Sequence, residues 1–204
     1  MTAPDRSRPQ AASSRVRVES YPAQSVPPEL LSQVEAVREE AWPTAGGDRD
    51  TGPVHDPALR PVSMLLTEAG TVVAALDILT KNITHGGQDY LVSGLSTVVT
   101  CRARRRHGYG RQLVSAARAA IAANGADLGI FTCDRPLQAF YASAGWEVLD
   151  GAVLVGGTPD NPFPSDQFDK VTVAAFCSAR ARRHAASFTH CGIGLYPGDI
   201  DRLW

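Results

Sequence analysis

The segment 105–110, which reads RRHGYG, has the residue types and spacing of a site for phosphate groups. It follows an apolar stretch typical of a strand, residues 91–99, and precedes one typical of a helix, residues 111–123. Two glycines two positions apart leave main-chain N–H groups accessible, and a helix N-terminus adds the positive end of its dipole. We therefore predict that a phosphorylated cofactor binds here, with help from four nearby guanidinium groups, those of Arg102, Arg104, Arg105 and Arg106.

The composition is that of a globular protein without a general affinity for polyanions. Of the 204 residues, 44% are hydrophobic and 20% are charged, and the formal net charge is −1. Such a charge creates no global field that would attract nucleic acid or a membrane surface. No aromatic residue interrupts the arginine cluster, so stacking on bases is not indicated either. The cluster therefore needs a local explanation, and we expect neither nucleic acid nor a membrane as a partner.

The cysteines and the N-terminal sequence indicate a cytoplasmic protein. The four cysteines are far apart, and none stands near a second cysteine or a histidine at the spacing of a zinc site. We expect reduced thiols and no bound metal. Residues 1–14 contain no apolar stretch of the kind found in secretory signals, and no apolar run approaches the ~20 residues that span a bilayer.

Hydrophobic periodicity and turn residues predict one mixed α/β domain over 15–204, after a disordered tail over 1–14. Ser25 and Asp134 are the predicted caps of the first and third of three helices, at 25–41, 108–123 and 135–144. The third helix would bury a face made of Leu137, Phe140 and Tyr141. Seven strands are predicted, at 15–21, 61–67, 71–81, 90–100, 126–133, 146–155 and 171–177.

Two motifs in this frame resemble those of the GNAT superfamily of acetyl-CoA-dependent N-acetyltransferases. Arg105, Gly108 and Gly110 match its Q/R-x-x-G-x-G/A pyrophosphate loop, and a later helix carries Phe140-Tyr141 before Gly145-Trp146. The resemblance covers residues 61–155 well and the flanks loosely. Within the superfamily the chain looks most like the aminoglycoside 2'-N-acetyltransferases, through RRHGYGRQL (105–113), LGIFTCDRPLQAFYASAGW (128–146) and the C-terminal Trp204. The fold it implies is the GNAT fold, a mixed central β-sheet flanked by helices.

The resemblance assigns acetyl-CoA to the end of one predicted strand and to the loop behind it. Main-chain N–H groups near Val98, Val99 and Thr100 would bind the acetyl carbonyl, with the pantetheine arm beside that strand. The pyrophosphate would be held by Arg105, Arg106, His107, Gly108, Tyr109, Gly110 and Arg111. Tyr141 would protonate the leaving thiolate, because an unperturbed phenol has a pKa of about 10. The alternative is that Tyr141 only packs in the core.

The resemblance leaves several candidates for binding and deprotonating an amine. Ser96 stands where the family has an acidic residue, and it would act by holding a water molecule. That water would pass the proton to Asp77, Asp56, Asp199, Asp201 or the carboxylate of Trp204. Asp56, Asp199, Asp201 and Trp204 are also predicted to bind substrate, because carboxylates with aromatic walls suit a cationic amino sugar. His55 and the other scattered histidines are predicted to be surface or satisfied core residues.

The function implied is acetyl-CoA-dependent N-acetylation of an aminoglycoside-type antibiotic, for which a kasugamycin-like drug is one candidate. An antibiotic-resistance role would follow from that substrate. The alternatives are a GNAT enzyme that acetylates another small amine, a polyamine or a protein N-terminus, and a non-catalytic protein that binds CoA. The resemblance also allows a homodimer formed through C-terminal strands.

Overall fold

The computed structural model describes residues 16–43 and 53–204, so the predicted tail over 1–14 lies outside the described residues. Ten strands form two sheets in these ranges. The larger sheet has the order β1-β2-β3-β4-β5-β9-β6 and the smaller the order β10-β7-β8. The strands are β1 Val16–Pro22, β2 Val62–Glu68, β3 Thr71–His85, β4 Gln88–Thr100, β5 Leu128–Asp134, β6 Glu147–Val148, β7 Val153–Gly157, β8 Pro162–Pro164, β9 Lys170–Phe176 and β10 Gly192–Gly194.

The described ranges contain four α-helices, α1 Pro28–Ala41, α2 Tyr109–Ala123, α3 Gln138–Ser143 and α4 Ala179–Arg183. None of them is long and apolar enough to cross a membrane. Ser25 is not the cap of α1, contrary to the prediction: it ends a separate 3-10 turn, and α1 follows the extended Pro27 without a side-chain cap. The physical reason is that Pro28 has no N–H to satisfy and already has the φ of a helix.

The two longest helices pack on opposite faces of the larger sheet. Neighbouring residues of one strand point to opposite faces, and Ala74 and Ala75 of β3 belong to two different apolar clusters. The cluster of Ala75 contains Val34 and Val37 of α1. The cluster of Ala74 contains the buried stripe of α2, made of Leu113, Val114, Ala117 and Ile121. The helix predicted over 108–123 is therefore confirmed, and the sheet has a helix-covered layer on each side.

Strands β4 and β5 run parallel but part soon after they meet. Only Val92 and Ser93 of β4 pair with β5, at Leu128 and Gly129. On its other edge β4 stays paired with β3 up to its last residue, Thr100, and β5 stays paired with β9 along its whole length. The gap that opens leaves the carboxyl-terminal half of β4 without a strand partner on that side.

A β-bulge lies in the unpaired half of β4. Asp77 pairs with Ser96 and Ala75 with Val99, so Thr97 and Val98 together oppose a single residue of β3. Thr97 has a φ of 49°, which is unusual for a β-branched residue. The bulge redirects the main chain at the point where the strand faces the gap.

Three predicted elements differ from the structure. Residues 135–144 form a 3-10 turn followed by the short helix α3, because Asp134 bonds Lys170 Nζ at 2.7 Å instead of capping the helix. Leu137 is consequently 44% exposed rather than part of the core face. The strand predicted over 146–155 is split into β6 and β7, which belong to different sheets and are separated by a turn at Gly151, whose φ is 63°. Strand β9 is not the last strand, since β10 lies beyond it.

The C-terminal segment packs closely on β7. Gly157 N donates to Arg202 O at 2.9 Å, and Gly198 N donates to Gly157 O at 3.0 Å. A Cβ built on Gly156 would overlap the main-chain oxygen of Arg202, which has no freedom to rotate away. The absence of a side chain at this position therefore determines how near the segment lies.

We predict that Gly156→Ala lowers the free energy of unfolding by about 1–3 kcal/mol, the usual effect of overpacking. Urea denaturation measures it. Gly192→Ala is the matched control in the neighbouring strand, because the nearest atom to its Cβ is 4.0 Å away. Equal losses for the two variants would contradict the packing described above.

Candidate active site

A groove of about 700 Å³ runs along the free edge of β4 and collects most of the predicted cofactor residues. Its walls include the strand end, the loop and α3. The predicted residues that line it are Val98, Val99, Thr100, Arg105, Arg106, Gly108, Tyr109, Gly110, Arg111 and Tyr141. His107 is the exception: its ring stacks on Tyr109, and its Nδ1 lies 2.9 Å from Arg105 O. The histidine therefore contributes to the shape of the loop and does not line the groove.

The loop backbone has the shape that anion binding requires. Arg106 and Gly108 have φ values of 65° and 82°, and α2 begins directly after them with its first intrahelical bond from Gln112 N to Gly108 O, at 2.9 Å. The amides that precede Gln112 have no acceptor within the helix, as at any helix start. Gly110 lets the helix approach β4, since a Cβ there would lie 2.8 Å from Thr100 Oγ1. Bare amides and a helix N-terminus thus face the groove together.

Two of the four arginines in the predicted cradle are engaged elsewhere. Arg102 Nη2 donates to Glu40 O at 3.1 Å, and Arg102 does not line the groove. Arg104 Nη1 lies 3.3 Å from a Glu68 carboxylate oxygen. Arg104 nevertheless lines the groove, together with the exposed Arg105, Arg106 and Arg111, and Arg105 Nε donates to Thr100 O at 3.3 Å.

Tyr141 is both a core residue and a groove residue. Its ring packs edge-on against Phe131 and Phe140, with centroids 5.0 Å away in each case, and 6% of the residue is exposed. Burial, and after it the negative charges that Cys133 and Asp134 can carry, raise the pKa of the phenol above its ordinary value. The hydroxyl therefore stays protonated over the physiological pH range, and it is a weaker acid than the free phenol on which the predicted role was based.

A smaller cavity of about 330 Å³ lies beside Ser96 and Thr97, next to the residues of β4 that line the groove. Thr132 of β5 lines it from the opposite side of the gap. The cavity brings together three of the predicted residues, Ser96, Asp201 and Trp204. Asp56 and Asp199 do not line it: the Asp56 carboxylate caps a 3-10 turn through Ala58 N, and Asp199 is exposed.

The indole of Trp204 is inserted between β4 and β5. Its Nε1 donates to Ile130 O at 2.9 Å, and the residue is 8% exposed. On the β4 side, a Cβ on Gly94 would overlap the indole. The ring thus occupies the narrow end of the gap, and the glycine is the position that makes room for it. A glycine inside a strand pattern is a sequence signal for such a close approach.

His55 agrees with its prediction as a satisfied core residue, but the sequence did not reveal its partners. It is buried, with Nδ1 2.5 Å from Asp201 Oδ1 and Nε2 3.0 Å from Asp77 Oδ2. Burial alone would lower the pKa of the imidazole, but the hydrogen bonds to Asp201 and Asp77 and their charges outweigh it and raise the pKa to about 9. His55 is therefore an imidazolium at neutral pH. Nothing in the sequence around it indicates these partners.

Asp77 is fully engaged in hydrogen bonds beneath the β4 bulge. Its carboxylate accepts from Arg38, from Ser63 Oγ at 2.6 Å and from Thr97 Oγ1 at 2.6 Å, in addition to His55. Burial acts to raise its pKa, but the hydrogen bond from His55 and the charge of Arg38 prevail and hold the pKa below its usual range. Asp77 is thus a structural carboxylate, and it is a poor candidate for the proton acceptor among the predicted acids.

A third cavity, of about 710 Å³, lies on the other side of His55. Val54 and His55 line both this cavity and the smaller one beside Ser96. Its other walls are mainly proline and aliphatic side chains from β1, α1, β2 and the turn before β2, among them Pro22, Leu31, Pro57 and Val62. It can accommodate an apolar group.

The model of a known family matches this chain. Residues 26–149 match the model described as an acetyltransferase (GNAT) domain, which is more than half of the sequence. The chain belongs to the GNAT acetyltransferases. The GNAT fold predicted from the sequence is confirmed, and so is an enzyme that transfers an acetyl group, for which the family uses acetyl-CoA.

Solved structures agree with this fold. An acyl-CoA N-acyltransferase from Pseudomonas aeruginosa is 16% identical with a TM-score of 0.55. The match covers 78% of this chain and 99% of that structure's chain. ElaA from Escherichia coli is 18% identical with a TM-score of 0.52, and the match again covers 78% of this chain and 99% of the other. A putative N-acetyltransferase from Lactobacillus plantarum is 17% identical with a TM-score of 0.52, over 80% and 99%. No curated protein matches the sequence.

Proposed function

We propose that this GNAT enzyme acetylates a small primary amine, which enters beside Ser96 while acetyl-CoA lies in the groove along β4. The observation that supports this most directly is the sharing of one strand by two cavities. Ser96 and Thr97 line the smaller cavity, and Val98, Val99 and Thr100 line the groove. An amine and a thioester bound in these spaces would meet at the bulge of β4.

The groove fits the parts of acetyl-CoA in order. The amides from 106 to 111 and the guanidinium groups of Arg105, Arg106 and Arg111 would hold the pyrophosphate. The free edge of β4 would accept the pantetheine arm as an added strand. An N–H group in the unpaired half of β4, redirected by the bulge at Thr97, would donate to the acetyl carbonyl and stabilise negative charge there. The cofactor supplies an activated acetyl group.

Proton movements in this proposal use two hydroxyl groups. Tyr141 donates the proton that the departing sulfur needs, and its buried phenol is neutral at working pH. Ser96 holds a water molecule that takes the proton from the attacking amine. Asp201 is not a free base for that proton, because His55 and Asp56 N already occupy its two carboxylate oxygens. The acceptor amine must therefore reach the site with a modest pKa or lose its proton to water.

The charges around the acceptor cavities favour an amine of low total charge. Asp77 and Asp201 are compensated by Arg38 and by the His55 imidazolium, and Lys170 and Arg202 also line the smaller cavity. A polycationic drug would find few free carboxylates here. The predicted aminoglycoside specificity stays a prediction, and the member of that class with the better electrostatic fit is kasugamycin-like, with few ammonium groups. The predicted homodimer also stays a prediction.

Thiol release from acetyl-CoA, measured over a panel of acceptors, tests the proposed function. The panel contains apolar primary amines, polyamines, an N-terminal peptide, kasugamycin and highly charged aminoglycosides. We expect the highest kcat/KM for an amine with one or two positive charges and an apolar body that fits the 710 Å³ cavity. Preference for the most highly charged drugs would contradict the electrostatic argument. Binding of acetyl-CoA without turnover of any amine would favour the non-catalytic alternative.

We predict that Gly108→Glu weakens CoA binding at least about tenfold, because a carboxylate enters a site built for anions and even one lost charge-assisted contact is worth ~1.5–3 kcal/mol. Isothermal titration calorimetry with CoA measures it. Gly70→Glu is the matched control, since Gly70 has the same φ of 82° and the same open surroundings but lies in the β2–β3 turn. Equal effects in both variants would show that backbone strain, and not the loop, is responsible.

We predict that Tyr141→Phe lowers kcat by about 10²–10⁴-fold, the usual contribution of a general acid, and leaves the Kd of CoA nearly unchanged. Steady-state kinetics and calorimetry separate these effects. Tyr21→Phe is the control, because its hydroxyl bonds Glu19 on β1. If the Tyr141 variant keeps full turnover, the residue serves only in packing.

A further inference from the structure

We propose that His55 is a positioning residue for acetyl transfer, which ties the C-terminal segment 201–204 to the bulge of β4. The proposal rests on the function given above and adds a part of the chain beyond residue 149, where the family match ends. In it, one buried side chain holds two walls of the acceptor cavity in register.

The first connection runs from His55 to the bulge. His55 Nε2 lies 3.0 Å from Asp77 Oδ2, the same oxygen that accepts from Thr97 Oγ1 at 2.6 Å. Thr97 has the left-handed φ of 49°, and a conformation of this kind costs of order 1–3 kcal/mol unless its surroundings enforce it. Thr97 Oγ1 donates to Asp77 and accepts from Arg38 Nη2 at 3.2 Å, and these two bonds hold the residue in that conformation. His55 therefore neutralises and orients the carboxylate that holds the bulge.

The second connection runs from His55 to the C-terminal segment. His55 Nδ1 lies 2.5 Å from Asp201 Oδ1, and Asp56 N donates to Asp201 Oδ2 at 2.9 Å. Trp204 N donates to Asp201 O at 3.3 Å, which closes a turn that directs the indole into the gap between β4 and β5. Fixing Asp201 thus fixes the ring that fills the narrow end of the gap.

Loss of His55 would affect the two connections unequally. Asp77 keeps the cation of Arg38 and the hydroxyls of Ser63 and Thr97. Asp201 keeps one main-chain donor, Asp56 N. Among the described residues, His55 is the cation that the structure pairs with Asp201. Since a buried carboxylate without a countercharge is strongly unfavourable, the C-terminal segment should leave the cavity before the sheet loses its shape.

The charges around His55 also predict how the connection depends on pH. The charged groups that bond to His55 or line the cavities on either side of it are Asp77, Asp201, Arg38, Arg60, Lys170, Arg202 and Trp204 with its carboxylate, and Asp56 is its neighbour in the chain. The pKa of His55 is raised from 6.5 to about 9, so its stabilising contribution is complete below pH 6.5 and disappears as the pH rises through 9. The C-terminal segment should therefore loosen on the alkaline side.

Trp204 gives a direct readout of the connection. In a Trp42→Phe background the remaining tryptophans are Trp146 and Trp204, both buried. His55→Asn should increase acrylamide quenching of the fluorescence and speed removal of the C-terminal residues by carboxypeptidase. His190→Asn is the matched control, because His190 is exposed and lies outside the three cavities. The parent protein should show the same increase in quenching between pH 8 and 10, and the His55 variant should not.

Kinetics test whether the contacts of His55 position the groups that react. We expect His55→Asn to lower kcat about 10²-fold, the effect of a misplacement of ~1 Å, while the Kd of CoA changes less than about threefold. Release of Trp204 with normal kcat would overturn the positioning role. A lower kcat with Trp204 still shielded and protected would overturn the proposed route.

If the parent protein turns over no amine, the proposed function and the positioning role fail together. Fluorescence quenching and carboxypeptidase digestion then still decide whether His55 holds the C-terminal segment. The pH series of the parent protein gives that decision even if the variant does not fold.

Discussion

The parting of the parallel strands β4 and β5 is the constraint on which the rest of this molecule depends. After two paired positions the strands separate, and every functional feature is placed relative to that opening. The groove follows the free edge of β4, the indole of Trp204 fills the narrow end, and Ser96 faces Thr132 across the space between. A sheet paired along its whole length would offer no unpaired main chain to a thioester.

Buried charge maintains this opening. Asp77 and Asp201 would each be costly in the interior alone, but they share the His55 imidazolium, and Asp77 has Arg38 as well. The hydrogen bonds that satisfy Asp77 also hold the irregular backbone at Thr97. These ion pairs and hydrogen bonds offset the electrostatic cost of burying the groups, and they also fix the shape of the strand beside the proposed site. Because Asp77 and Asp201 are paired with these cations, the cavities around them have little uncompensated negative charge.

Local patterns in the sequence were sufficient to predict residues that line one groove, and their binding of acetyl-CoA stays a prediction. The loop from Arg105 to Gly110 is contiguous, and its glycines, its arginines and the helix behind it all report on the same function, so the groove followed from spacing and resemblance. The division of 146–155 into β6 and β7 could not be predicted, because the apolar pattern continues through the turn at Gly151. The surface position of Leu137 depended on how Asp134 pairs with Lys170, which is a tertiary contact.

The acceptor side was beyond such patterns. His55 lies 22 positions from Asp77 and 146 positions from Asp201, and no local periodicity connects residues at those distances. Gly94 gave the one usable signal, since a glycine within a strand indicates a close neighbour, but it could not identify Trp204 as that neighbour. Trp204 was predicted to act through its carboxylate, a role that stays a prediction, whereas the structure shows the anchoring contact of its indole.

The two sides of the opening also differ in how they can change during evolution. All residues that line the groove lie within the family match, at the end of α1, in β4, in the loop before α2 and the start of α2, and around α3. The smaller cavity also uses residues beyond that match, Lys170 and the segment 200–204. With the ligands placed as proposed, substitutions at residues 200–204 would reshape the pocket for the amine and leave the residues that line the groove unchanged. An ancestral enzyme of this architecture could acquire new acceptors through substitutions at residues 200–204 and keep the same acetyl donor.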